Sequence, residues 1–303
     1  MEFIELRRLR AFVAVAEEEH VTRAAERLGM QQPPLTRLLA GLERDLGVSL
    51  LHRLPRGVRP TEAGLALLEE ARAVLARAEG VAEAVRRAAR GEKGRLAIGF
   101  TGSAALHPLV PAVLRRFRAA WPGVSIVLEE ASSSELENAL QQQQLDAAFI
   151  RSAGGWREGL TAEPVLEEAM LAALPADHAL AAETSPLPLI ALAREAFILY
   201  RRQAGAGLYD TILTACRDAG FNPSIAQEAP RLPATFSLVA AGMGVSIVPA
   251  SMQRLGGEGV VYRPLTDCPR LTAILRLATR KEPPSPTLRH FRDLVRDMRS
   301  SFS

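Results

Sequence analysis

VTRAAERLGMQQPPLTRLLAGLERDLG, residues 21–47, reads as two short helices joined by a glycine turn, and it decides how the amino-terminal part of the chain is understood. Thr22 can cap a first helix whose small residues Ala24 and Ala25 allow another helix to approach closely. Gly29 can take the positive φ of a tight turn, with Met30 as its apolar plug. Pro33 and Pro34 suit the first turn of the next helix, where backbone N–H groups have no intrahelical partner. Leu35, Leu38, Leu39 and Leu42 recur at helical spacing and form an inner face, which leaves Gln32, Thr36 and Arg37 pointing out. In a helix-turn-helix the start of the second helix enters the major groove, where Gln pairs with adenine and Arg with guanine or phosphate. The plainer alternative is an amphipathic hairpin whose exposed arginine only keeps it soluble.

The next stretch, VSLLHRLPRGVRPTEAG at 48–64, weighs against that alternative. A short apolar run is followed by Pro55, Gly57 and Pro60, with Arg53, Arg56 and Arg59 three residues apart, as in a small β-wing lying along phosphates. Between residues 20 and 60 seven arginines face only Glu26, Glu43 and Asp45, whereas the whole chain has a net charge of +3. Positive charge is therefore concentrated in this segment, as a backbone-binding face requires. Arg is used almost to the exclusion of Lys, with Lys93 and Lys281 alone. That bias suits phosphate and guanine contact, but a GC-rich genome produces it too.

Taken together, LRRLRAFVAVAEE (6–18), AAERLGMQQPPLTRLLAGLERDLGVSLLHR (24–53) and RPTEAG (59–64) resemble the winged helix-turn-helix of LysR-type transcriptional regulators. The resemblance implies Gln32, Pro33, Pro34, Thr36 and Arg37 at the major groove, with Thr22 beside them, and Arg53 and Arg56 on the wing. It also implies double-stranded promoter DNA and RNA polymerase as partners.

From Thr61 to about Ala89 no proline interrupts a helical pattern, and Leu67, Ala71, Val74, Ala78, Val81 and Val85 step by three and four. A helix of that length spans roughly 40 Å and cannot bury its own stripe, so the same helix of a second subunit is the expected partner. Packing on its own domain is the alternative. GEKG at 91–94 reads as a hinge.

The remaining 200 or so residues suit an α/β region. RLAIGF, VSIVLEE, LDAAFIR, AMLAALP, AFILY, GVSIVP and RLTAILRLATR read as strands alternating with helices, which predicts parallel sheet in two lobes joined by crossing strands. Ligands of such folds sit beyond the carboxyl ends of the strands. At those ends stand FTGSA (100–104) with Thr101 and Ser103, SSS (132–134), Arg151, and Arg201 with Arg202. Each serine has helix capping as its ordinary role, and Arg151 an ion pair. Their convergence on one side suggests an anion site.

RLAIGFTGSAALHPLVPAVLRRF, LDAAFIR and LVAAGMGVSIVPAS are similar to the effector-binding domain of the same family, in particular its branch responsive to benzoate, muconate and other aromatic degradation compounds. The resemblance implies an inducer between two lobes of periplasmic-binding-protein type, with Ser103, Ser133, Arg151 and Arg201 around it and Phe149 and Thr235 as neighbours. A second arginine at 201 would either favour a more acidic ligand or close the pocket; with the branch resemblance, an aromatic or dicarboxylic acid is expected. The expected fold is thus a winged helix-turn-helix over 1–60, a linker and dimerisation helix over 61–90, and a two-lobed α/β effector-binding domain over 91–303. Its first lobe takes about 91–163 and 267–303, its second about 164–266. A homodimer or homotetramer follows from the linker.

Two rival classes are weaker. An enzyme lacks its motifs: the five histidines, at 20, 52, 107, 178 and 290, have no metal-ligand spacing, and Ser103 with His107 lacks the G-x-S-x-G elbow. No cofactor is expected, since GMGVS (242–246) lies between a helix and a strand, the reverse of a nucleotide loop. An exported solute-binding protein would need a signal peptide, whereas AFVAVA is only six apolar residues long and is followed by EEE. Cys216 and Cys268, without a pairing argument, agree with a reducing cytoplasm, and no apolar run is long enough for a membrane span.

Overall fold

The computed structural model describes residues 4–55, 57–151, 156–200, 207–229, 232–255 and 257–302. They divide into two compact units, Met1–Arg87 and Ala88–Ser303. In the first, α1 (Leu6–Glu18), α2 (Val21–Arg27) and α3 (Gln32–Leu46) precede a hairpin of β1 (Leu51–Leu54) and β2 (Gly57–Pro60) and then α4 (Glu62–Ala89). Helix α1 is buried on almost every side, through Leu9, Ala11, Phe12, Val13, Ala14, Val15 and Ala16, so it is the centre on which the other elements pack. Ala24 and Ala25 of α2 meet it together with Leu35, Leu39 and Leu42 of α3. Gly29 makes the turn at φ 62°. Thr22 departs from the expected capping role: α2 starts at Val21, after His20, and the Thr22 hydroxyl lies 3.4 Å from Gln32 Oε1.

Two acceptors hold the hairpin on the helices. The Glu43 carboxylate accepts from the Leu50 and Leu51 N–H groups at 2.8 and 3.3 Å, and the Glu19 carbonyl accepts from Val58 N–H at 2.9 Å. One acid in the basic segment therefore has a structural use. Thr61 caps α4, accepting from Gly64 N–H at 2.9 Å and donating to the Ser49 carbonyl at 2.9 Å. A Cβ at Gly64 would run into the Leu50 carbonyl, so that position is held to glycine by close approach. The apolar stripe of α4 has two fates. Leu67 and Ala71 pack into the core of this unit, whereas Val74, Val81 and Val85 are exposed.

The second unit comprises β3 (Gly94–Phe100), α5 (Gly102–Ala105), α6 (Leu109–Ala120), β4 (Val124–Glu130), α7 (Ser133–Gln141), β5 (Ala147–Ile150) and the long β6 (Leu160–Pro175). It continues with β7 (Leu187–Pro188), β8 (Ala196–Tyr200), α8 (Leu208–Asp218), β9 (Ser224–Ala229), α9 (Leu232–Ala240), β10 (Ser246–Pro249), β11 (Val260–Thr266), β12 (Thr272–Arg280) and α10 (Pro286–Arg299). Among the described residues the main sheet runs β4-β3-β5-β12-β6-β11-β7, with β10 also on β6, and β8 pairs with β9.

The sheet is mixed rather than parallel throughout. β3 pairs in parallel with β4 and β5, and β8 with β9, but β12 is antiparallel to both β5 and β6. The long strands β6 and β12 thread both halves, so their crossing sets the antiparallel pairs. One core lies between the first half of the sheet and α6 and α10, around Phe117, Phe149 and Phe291. Another gathers β6, β8 and α8, around Phe197, Ile212 and Leu174. Gly91, expected in a hinge, is buried under the start of α10, where a Cβ would strike Pro286 and the Thr287 hydroxyl donates to its carbonyl at 3.3 Å.

Candidate functional site

The polar residues expected at binding sites fall into two sets, one in each unit. In the first unit, α3 begins with Gln32, Pro33 and Pro34 in its first turn, and the carbonyl of Gln32 accepts from the Thr36 hydroxyl at 3.0 Å. Gln32, Pro33 and Arg37 are exposed, while Pro34 and Thr36 are half-buried. Arg37, with Pro34 and Leu38, borders a groove of about 260 Å³ against Glu5, Arg7 and Arg8 of the α1 region. Arg53 is exposed on β1 opposite Val58, and Arg59 is exposed on β2 opposite His52. Arg56 lies outside the described residues.

In the second unit, the parallel register brings the carboxyl ends of β4, β3 and β5 to one edge: Phe100 stands beside Glu130 and Phe149. Thr101, directly after β3, donates its backbone N–H to the Phe149 carbonyl at 3.0 Å and caps α5 with its side chain. Its hydroxyl lies 3.3 Å from that of Ser103. Ser132, not Ser133, caps α7, in a reciprocal box with Glu135 whose carboxyl those hydrogen bonds hold below the usual range. Ser133, the expected ligand contact, follows at the first helical position and is half-buried.

Arg151 leaves β5 with 3% exposure. Its guanidinium pairs with Glu168 of β6 and donates to the Ala273 carbonyl at 3.2 Å. Glu168 in turn accepts from Ser251 N–H at 2.6 Å and from the Ser251 hydroxyl at 3.0 Å. Burial lowers the affinity of this guanidinium for its proton, and the neighbouring Glu168 counteracts that. The charge of Arg151 is thus already answered inside the protein, by an acid that the sequence reading does not pick out. An acid pair, Glu167 and Glu168, in the otherwise apolar VLEEAMLAALP was its signal.

Phe149 requires a correction. Its ring is fully buried and packs at 6.0 Å from Phe291 in the core, because β5 is covered on both faces and has no side chain free for a ligand. Thr235 of α9 is buried too, with its hydroxyl unpartnered among the described residues. Arg201 and Arg202 lie outside the described residues. His107, weighed for catalysis, accepts from Leu109 N–H through Nδ1 at 3.1 Å, so a neutral ring carries its proton on Nε2. Burial depresses its pKa, and Glu168, Arg151 and Arg254 lie within electrostatic reach. Ser103 finds Thr101 rather than His107. Among the described residues no group of three His, Cys, Asp or Glu is placed to hold a metal ion, and no helix is long and apolar enough to cross a membrane.

Residues 6–65 match the model of the bacterial regulatory helix-turn-helix protein, lysR family, and residues 89–300 match that of the LysR substrate binding domain. The chain belongs to the LysR family. Among LysR regulators it is similar to BudR of Raoultella terrigena, 36% identical over 291 residues that cover 96% of this chain and all of that one. It is also similar to AlsR of Bacillus subtilis (strain 168), 37% identical over 288 residues, 95% of this chain and 94% of that one. The structure of full-length CbnR complexed with its target DNA superposes with a TM-score of 0.85 at 29% identity, over 97% of this chain and 99% of that one. As a LysR regulator this protein binds DNA under the control of a small molecule taken by its substrate-binding domain, and it is not an enzyme.

Proposed function

We propose that this LysR regulator acts in the cytoplasm as a homodimer or homotetramer on promoter DNA, alongside RNA polymerase, and responds to an organic acid. In the first unit Gln32, Pro33, Pro34, Thr36 and Arg37 read the major groove with Thr22 beside them, and Arg53 and Arg56 grip phosphates. The exposed face that α3 presents, with Arg37 exposed at its outer edge, supports this reading. The proposed division of labour is a reader over 1–60, a coupling helix over 61–90 and an effector-binding domain over 91–303.

The observation that carries the effector site is the gathering of Thr101, Ser103, Ser133 and Arg151 on one sheet edge. Hydroxyls and a guanidinium N–H at one place suit a carboxylate. Thr235 and Arg201 complete the proposed site. The narrower reading, an aromatic or dicarboxylic acid of the kind sensed by the aromatic-compound branch, rests on the resemblance of RLAIGFTGSAALHPLVPAVLRRF and LDAAFIR to that branch. Ligand shifts the arrangement of readers only in proportion to its different affinity for the two arrangements. Ser103→Ala, at a residue remote in sequence from the reader, is expected to retain operator binding while weakening the thermal stabilisation of the full chain by aromatic and short organic acids. Unchanged stabilisation by the same acids contradicts the assignment of Ser103.

A further inference from the structure

Buried polar atoms in folded proteins have partners almost without exception, so a group of orphans in one place points to something that fills it. Among the described residues, Arg151 Nε, Tyr200 OH, Thr235 Oγ1, Ser246 Oγ and Tyr262 OH are buried without a hydrogen-bond partner. They are neighbours. Ser246 and Tyr262 both stand opposite Ala173, on the two strands that flank β6, so their side chains leave the same face of the sheet. That face is covered by Phe236 of α9, whose ring lies 6.4 Å from that of Tyr262 and which follows Thr235 directly. Tyr200 and Leu106 pack against the same cluster, and Leu106 is the residue that ends α5, three after Ser103. Tyr200 also lies within electrostatic reach of Arg151. The orphans therefore adjoin the proposed effector site.

Their chemistry selects a ligand. Four are hydroxyls able to donate and accept, and burial keeps both phenols protonated, that of Tyr262 with its pKa pushed up to about 12 and that of Tyr200 raised as well. Of the charges that act on Tyr200, Arg151 is paired with Glu168 and Asp210 is itself an acid. Among the described residues a second carboxylate buried against these hydroxyls would meet no uncompensated cation and would stand near Asp210, whereas a neutral hydroxyl or keto oxygen would satisfy them at no such cost. We infer that Tyr200, Thr235, Ser246 and Tyr262 form a hydroxyl-lined floor that takes a neutral oxygen of the effector, whose single carboxylate meets Thr101, Ser103 and Arg151 Nε. The effector class is thus a hydroxy- or oxo-monocarboxylic acid and not a dicarboxylate. The inference rests on the organic-acid reading above and narrows it.

The test uses the full chain and two matched trios, benzoate, 4-hydroxybenzoate and terephthalate, and butyrate, 3-hydroxybutyrate and succinate. Dissociation constants are measured by calorimetry. In at least one trio the hydroxy acid is expected to bind about tenfold tighter than its parent and than the diacid. Tyr262→Phe and Thr235→Val, each checked for a cooperative melt, are expected to reduce that preference to less than about threefold. Parent and hydroxy acid binding alike, or the diacid binding best, overturns the hydroxyl floor while leaving the organic-acid reading intact. Binding of none of the six overturns both. A preference that survives both variants also overturns the floor, since the discrimination then arises elsewhere.

Discussion

At the scale of single residues, the chain places most of its chemistry where sequence reasoning looks for it, and the exceptions have physical causes. Gly29, Pro33, Pro34 and the leucines of α3 were legible because turn sterics and helical period act locally. Thr22 was misread by two positions, since His20 starts the helix without a side-chain cap. Phe149 was misread because burial on both faces of β5 depends on α7 and α10, which only the assembled fold brings there. His107 illustrates how burial alters a titration. Its depressed pKa means that the unfolded chain holds the extra proton more readily, so the folded state loses stability as pH falls below the ordinary histidine value of about 6.5 and is unaffected well above it. Urea midpoints measured between about pH 7.5 and 5.5 are expected to fall with pH. His107→Leu is expected to remove part of that slope, and an unchanged slope contradicts the assignment.

Among elements, the decisive contact is the one that Arg151, Glu168 and Ser251 make between the end of β5, the crossing strand β6 and the 3-10 turn at Ala250–Leu255. A buried pair of this kind adds little beyond an apolar substitute, but losing one partner strands the other charge. Arg151→Met is therefore expected to lower unfolding stability by about 3 to 5 kcal/mol in urea titrations, while the double change Arg151→Met with Glu168→Leu recovers much of it. Equal destabilisation by single and double variants contradicts the pairing. Elements of regular period were readable in the sequence. β9 and β11 were not, because SIAQEA is mostly exposed and VVYRPLT contains a proline and Arg263, whose charge is absorbed by the Ser185 and Leu180 carbonyls. Missing β11 also hid Tyr262. The mixed sheet was equally beyond reach, since strand direction follows from the crossing of β6 and β12 and not from any local pattern.

For the whole molecule, α4 carries the argument for assembly. Its early stripe is used by its own unit, but Val81 and Val85 are 60% and 64% exposed, and a helix of 28 residues gains little from showing such residues to water. Sequence spacing revealed the stripe; only the fold divides it between intramolecular core and open face. Val81→Glu with Val85→Glu is expected to shift the sedimentation of the full chain toward monomer and to weaken operator binding by at least about tenfold, because two linked readers multiply weak contacts. Unchanged sedimentation contradicts a role for that face.

Regulation by this protein depends first on the basic reader proposed over residues 1–60. The most direct measurement is fluorescence anisotropy of the full protein on DNA from upstream of its own gene, titrated from low to high salt, with Arg37→Ala in parallel. The expected result is a linear fall of log affinity with log salt, and for Arg37→Ala a loss of about 1 to 3 kcal/mol that is larger on operator than on unrelated DNA. Affinity indifferent to salt, or an Arg37→Ala variant that binds as tightly as the original, would contradict that role of the reader.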